Sequence, residues 1–215
     1  MYYGQLYQDK FIHERYFKNK KDGISIECGA FDGVMESATY FFEESMGWSA
    51  INIEASPPIY EMLVSNRENS ININKGLSDK KDKLVFNHAV HPFHGVKFGN
   101  GSFNHKKSHL ELLKMEECSF DSYEVETIPY RELIDNIMDE NFNGKNVDLF
   151  VLDVEGFEVQ VLNGMTGSKY LPNIFCIEYP HVGLEPLQKI LVDLGYRFDT
   201  INETNAYFIK NDTNI

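Results

Sequence analysis

Carboxylates recur in this sequence at the ends of short apolar runs, a placement that suits ligand binding. The stretch ISIECGAFDG alternates Ile24, Ile26 and Cys28, carries Glu27, and turns through Gly29, Ala30, Asp32 and Gly33. Glycines there let a backbone pass close to a ligand, and the helix expected beyond offers free N–H groups. A phosphate-binding turn presents amides to an anion, whereas Glu27 and Asp32 would repel a pyrophosphate. They suit a cationic, hydroxyl-rich ligand such as S-adenosylmethionine. Glu54 ends the next alternating run, SAINIE. A strand-end acid of that kind accepts both ribose hydroxyls, as in dinucleotide folds about 20 residues after the first turn. The plain alternative for Glu27 and Asp32 is a strand-end acid and an ordinary turn residue.

Later in the chain, VDLFVLDVEG ends on Asp153 and Glu155, and NIFCIEYPH ends on Glu178 and His181. Asp153 and Glu155 flank Val154 and begin on opposite faces of a strand. Asp153 is expected in the site, while the other acid caps the helix opening at Gly156. His181 is the expected general base, since an unperturbed imidazole titrates near pH ~6.5 and accepts a proton at working pH. Asp153 or Glu155 could serve in its place. A divalent ion on Asp153, Glu155 and Glu178 would want a decisive ligand spacing that these residues lack, and no metal is assigned. His88, His91 and His94 lie in a Pro- and Gly-containing stretch without cysteine and read as a solvated loop. Cys28 and Cys176 read as core residues.

The elements that must position these groups alternate. An amphipathic helix is expected over about 8–18, carrying Phe11, Ile12, Tyr16 and Phe17, with Asp9 as its cap. Strand Ile24–Cys28, helix Ser37–Met46, strand Ser49–Glu54, helix Pro58–Arg67, strand Ile71–Asn74 and strand Lys83–His88 follow. Val90–Cys118 breaks the rhythm with glycines and polar residues, as acceptor-covering lids do. After it come strand Ser119–Ile128, helix Pro129–Met138, a buried strand Val147–Val154, strand Asn173–Tyr179 and helix Leu184–Leu194. Tyr196–Ile201 and Ala206–Lys210, joined by NETN, form an antiparallel pair at one sheet edge. This order predicts an α/β fold around a mostly parallel, doubly wound sheet.

With 215 residues and 42% hydrophobic content, one domain spanning 1–215 is expected. A net charge of −13 disfavours a nucleic-acid backbone or an anionic membrane as partner. Three cysteines without paired spacing fit a reducing, cytoplasmic setting. MYYGQLYQDK lacks the apolar segment of a signal peptide, and no apolar run is long enough to span a bilayer.

Several motifs together resemble the FkbM-type S-adenosylmethionine-dependent methyltransferases: Tyr7-Gln8-Asp9, ECGAFDG, the SAT of Ser37 to Thr39, WSAINIEASPPIY, NRE, GLSD, LDVEGFEVQVLNG and the IEY strand. The likeness covers nearly the whole chain. It implies the seven-stranded Rossmann-like sheet of class I methyltransferases, with an antiparallel C-terminal strand. The implied cofactor is S-adenosyl-L-methionine, and the implied activity is O-methylation of a sugar, glycan or related hydroxylated metabolite. As cofactor contacts it implies Gln8, Asp9, Ala30, Ser37, Thr39, Ala55 and Ser102, with Ser78 and Asp79 at the adenine, beside Glu27, Gly29, Asp32, Gly33, Glu54 and Asp153. Ala38 stands where the family usually carries Asn, and the middle stretch matches only at Gly101-Ser102. Two other classes stay open: an NAD-dependent oxidoreductase, which would want the GxGxxG that this chain lacks, and a non-catalytic binding module.

Overall fold

Period-2 alternation of apolar side chains builds the central sheet. The computed structural model describes residues 1–213, Phe98 by its backbone alone. The strands are β1 (Ile24–Cys28), β2 (Ser49–Ile53), β3 (Ile71–Ile73), β4 (Gly76–Ser78), β5 (Asp82–Val90), β6 (Gly101–Ser102), β7 (Ser119–Pro129), β8 (Leu149–Leu152), β9 (Ile174–Glu178), β10 (Tyr196–Asn202) and β11 (Asn205–Lys210). Seven of them form one sheet in the order β10-β11-β9-β8-β1-β2-β3. β3, β2, β1, β8 and β9 run parallel, while β11 is antiparallel to both β9 and β10. The expected doubly wound sheet with an antiparallel C-terminal insertion is therefore present.

Helices cover both faces, which is why β8 and β9 are buried along their length. They are α1 (Gln8–Ile12), α2 (Tyr40–Met46), α3 (Pro57–Asn66), α4 (Lys107–Met115), α5 (Tyr130–Asn141), α6 (Glu158–Asn163) and α7 (Leu184–Asp193). Phe150 and Leu152 of β8 pack with Ile134 and Met138 of α5, Val161 of α6 and Leu187 of α7. Leu149 and Val151, one residue out of phase, belong to the opposite layer with Ile12, Phe17, Phe42 and Trp48. The N-terminal helix is broken rather than continuous. Leu6 and Tyr7 have left-handed backbone, and after α1 the chain loosens into a π-helical turn over His13–Phe17.

A second sheet departs from the sequence reading. β4, β7, β5 and β6 form a separate four-stranded sheet, in which β5 and β7 pair antiparallel from Asp82↔Thr127 to Val90↔Ser119. Lys83–His88 thus does not extend the parallel sheet. The physical reason lies in its polarity: Asp82, Lys83 and Val85 are exposed while Phe86, His88 and Ala89 are buried, the one-sided pattern an antiparallel sheet tolerates and a doubly covered parallel strand does not. The expected lid is correspondingly shorter, since Val90 and Ser119 are strand ends, and it contains β6 and α4.

Candidate active site

Register brings the strand-end acids together. Cys28 pairs with Ile53 on one side and with Leu152 on the other, and Leu152 pairs with Ile177. The next residues along, Gly29, Glu54, Asp153 and Glu178, therefore stand at one level on the C-terminal edge of the sheet, where open α/β sheets bind ligands. All four border a cavity of about 510 Å³, inside the roughly 300–1,000 Å³ of small-molecule sites. Gly29 has φ +83°, and a Cβ there would lie 1.7 Å from the Asp153 carbonyl oxygen. Its freedom is used to bring β1 against β8, and only secondarily to admit a ligand.

Glu54 is fixed in place and still has capacity to bind. The Phe31 N–H donates to one carboxylate oxygen at 3.0 Å and the Ser56 N–H to the other at 2.7 Å. A carboxylate offers about four acceptor positions, so two remain for a ligand. Burial pushes its pKa up to about 7, against the backbone donors that lower it. Gln8 reaches the cavity from the N-terminal arm, pinned where its Oε1 accepts from Asn205 Nδ2 at 2.8 Å. Ala30, Ser37 and Ala55 also line it.

Glu27 borders the cavity, but its oxygens are engaged. Ser37 Oγ donates at 2.6 Å, Thr39 Oγ1 at 2.7 Å and the Ala38 N–H at 2.7 Å. It is the post around which the 31–39 loop is wound. Because Ala38 contributes through its N–H, the loss of an Asn side chain there does not disturb this arrangement. Several other expected contacts do not border the cavity. Asp32 accepts from the Val34 and Met35 N–H groups and caps its own turn. Gly33 packs against Arg67 and Leu63, Asp9 accepts from the Tyr3 and Lys10 N–H groups, and Thr39 is fully buried. Ser78 donates to Asp79 at 3.2 Å, whereas their neighbours Lys75, Gly76 and Leu77 line the cavity. Ser102 Oγ donates to the Glu155 carbonyl at 2.9 Å.

At the far end, carboxylate oxygens of Asp153, Glu155 and Glu178 lie within 4.8 Å of one another. Burial, then the charges of Glu178 and Glu155, hold Asp153 well above the usual carboxylate range. Burial and Glu155 push Glu178 up to about 7. Like charges held this close favour keeping one proton on the pair. Glu155 takes left-handed backbone at φ +55°, and its Oε2 lies 2.8 Å from His181 Nε2. His181 is thus turned toward Glu155, which raises its pKa, and it does not line the cavity. Neither Asp153 nor Glu155 caps α6, which has no side-chain cap; Glu158 accepts from the Gly156 and Val154 N–H groups and closes the turn ahead of the helix. Sequence reasoning missed it, and it missed His109, whose ring stacks on His181 at 4.7 Å.

The donor set fits S-adenosylmethionine: an acid with open acceptor positions at the β2 tip, Glu27 and Glu36 rather than free amides on the wall beside it, and the carboxyl groups of Asp153 and Glu178 at the other end. No helix among the described residues is long and apolar enough to cross a membrane. Residues 27–198 match the model of the methyltransferase FkbM domain. Among solved structures the chain is similar to methyltransferase FkbM from Methylobacillus flagellatus KT, with TM-score 0.53 and 13% identity over 95% of this chain and 53% of that one. The chain therefore spans about half the length of that relative. Weaker likenesses are to Aeropyrum pernix fibrillarin in complex with natively bound S-adenosyl-L-methionine (TM-score 0.47, 10% identity, 96% of this chain and 73% of that one) and to a TehB-like SAM-dependent methyltransferase from Corynebacterium glutamicum ATCC 13032 Kitasato (0.47, 8%, 94% and 86%). No curated protein matches the chain. The family match begins at Glu27 and runs through Glu54, Asp153 and Glu178, every strand-end acid of the cavity, and the chain belongs to the FkbM family of S-adenosylmethionine-dependent methyltransferases.

Proposed function

We propose that the protein is an O-methyltransferase acting on a hydroxyl of a saccharide or related small metabolite, in a single domain spanning 1–215. The observation that carries this reading is the polarity of the cavity: six carboxylates line it against two lysines. Such a wall repels phosphate-rich acceptors and accepts hydrogen bonds from a neutral polyol. Three free cysteines support a reducing, cytoplasmic setting.

S-adenosylmethionine supplies, when bound, an electrophilic methyl group on a sulfonium centre. Glu54 would hold the ribose hydroxyls, and Gln8, Ala30 and Ser37 the remainder of the cofactor side of the cavity. Positioning supplies most of the rate, because the acceptor oxygen must be held in line with the methyl carbon. The Asp153–Glu178 pair takes the place expected for His181 as the base. It borders the cavity, and carboxyl groups raised by burial and by neighbouring carboxylates match general-base work worth about 100- to 10,000-fold. Phe86, Phe103 and Asn100 present the second sheet and its loop to the acceptor side.

The test is incubation with the cofactor and a panel of sugars and glycans, reading demethylated cofactor released and the methylated atom by NMR. Methyl ethers on a sugar hydroxyl are expected. Transfer to an amine or a carboxylate would overturn the acceptor class, and cofactor binding without turnover on any acceptor would favour a binding module. Asp153→Asn should cut turnover by at least about 100-fold, whereas His181→Ala should retain most of it; the reverse result would return the base to His181.

A further inference from the structure

Behind the cavity, α4 of the inserted segment meets the turns after β8 and β9, and three side chains converge there. His109 Nδ1 lies 3.5 Å from Glu155 Oε2, and His181 Nε2 lies 2.8 Å from the same oxygen. The three ligand atoms lie within 4.8 Å of one another, and Glu178 Oε2 stands 3.5 Å from His181 Nε2. We propose that His109, Glu155 and His181, with Glu178 beside them, bind a divalent first-row transition-metal ion that ties the inserted segment to the sheet edge.

The argument rests on unmet lone pairs. His109 is 7% exposed. Its Nε2 lies 3.0 Å from Asn100 Oδ1, an acceptor, so Nε2 carries the proton and a neutral ring presents a bare lone pair at Nδ1. That buried Nδ1 has no hydrogen-bond partner, and neither has Glu155 Oε2 or Glu178 Oε2. The short approach of His181 to Glu155 lacks the geometry of a hydrogen bond. Buried lone pairs facing one another are costly without a cation between them.

The distances suit such an ion. Bonds of about 2.0–2.1 Å in a tetrahedron hold ligand atoms roughly 3.3 Å apart, and the 2.8 and 3.5 Å separations bracket that value. Two imidazoles select zinc, cobalt or iron over magnesium or calcium, which prefer all-oxygen sites. The Asn100 contact supplies the outer hydrogen bond that ligating imidazoles characteristically make. Ser102 fixes the other side, through the Glu155 carbonyl.

Metal binding is measured without methyl transfer, so it and the acceptor reading can fail separately. The chelator-stripped full chain is titrated with Co²⁺, Zn²⁺ and Mg²⁺ by calorimetry and visible absorption. One Co²⁺ per chain is expected, with a visible band of a nitrogen-ligated, low-coordinate site, displaced by Zn²⁺ and not by Mg²⁺. His109→Ala and His181→Ala, checked by circular dichroism, should each weaken binding beyond the roughly 10- to 100-fold that losing an outer-shell partner costs. Absence of stoichiometric binding, competition by Mg²⁺, or parent-like affinity in both folded variants would overturn the site and leave an ion pair between protonated histidine and Glu155. Should both variants misfold, the parent's Co²⁺ spectrum decides: an all-oxygen signature overturns the proposal.

Discussion

Glu54 and Glu27 are both buried acids at the tips of neighbouring strands, and their different partners assign them different work. Glu54 keeps acceptor capacity toward the cavity, so Glu54→Gln should weaken S-adenosylmethionine binding by about 1.5–3 kcal/mol, the range for hydrogen bonds to charged groups. Its folded pKa of about 7 lies above the ordinary 4.5. The proton therefore favours the folded apo state: this contribution to stability is full below 4.5 and is lost as pH rises through about 7. Cofactor binding, which wants the ionised form, should move the other way. Calorimetry should find affinity rising up to about tenfold between about pH 6 and about pH 8, and Glu54→Gln should flatten that rise. Glu27→Ala, by contrast, orphans three donors in the 31–39 loop and should cost about 2–4 kcal/mol of stability in urea unfolding. An unchanged midpoint with lost cofactor affinity would restore Glu27 as a direct ligand.

At the scale of elements, the loop after β1 is clamped from behind by α2 and α3. Arg67, with a fully buried side chain, pairs with Glu43 of α2 and donates to the Gly33 carbonyl at 2.7 Å. Glu43→Ala leaves that guanidinium buried and uncompensated, for which about 3–5 kcal/mol is expected in denaturant unfolding. On the other side of the cavity, His94, Lys97, Asn100 and Phe103 come from the segment between β5 and β7. The segment hangs on a long antiparallel hairpin, so hydrogen exchange should be slow in β5 and β7 with or without ligand. Protection over residues 94–103 should rise when cofactor and acceptor bind. Equal exchange in both states would make the segment rigid scaffolding.

For the molecule as a whole, the charged groups that line the cavity at the sheet edge are mainly acids. Binding there stabilises the fold by mass action, about 2.7 kcal/mol at about 100 times the dissociation constant. S-adenosylmethionine and its demethylated product should each raise the melting temperature in thermal scans. NAD should leave it unchanged, because Glu27, Glu36 and Glu54 line the cavity beside the turn after β1, where a pyrophosphate needs amides. A shift with NAD of similar size would reopen the oxidoreductase reading.

The sequence by itself determined the alternation of strands and helices and the acids at their tips. Period-2 apolar patterning fixes which residues face the core, and an acid that ends such a run must emerge at the sheet edge. Glu54 and Asp153 were legible for that reason. Tertiary structure decided what each emerging group meets. Glu27 is captured by Ser37, Ala38 and Thr39 only once the loop has closed on it. Ser78 and Asp79 depend on the turn of β4 into a second sheet, and β5 reads as a strand whichever sheet it joins. His109 reaches His181 and Glu155 through the docking of α4, a contact between distant segments that no local spacing encodes. Local pattern sets where a side chain points along its own element. Which distant lone pairs it faces is fixed by packing and strand order, and at this sheet edge that is where the chemistry lies.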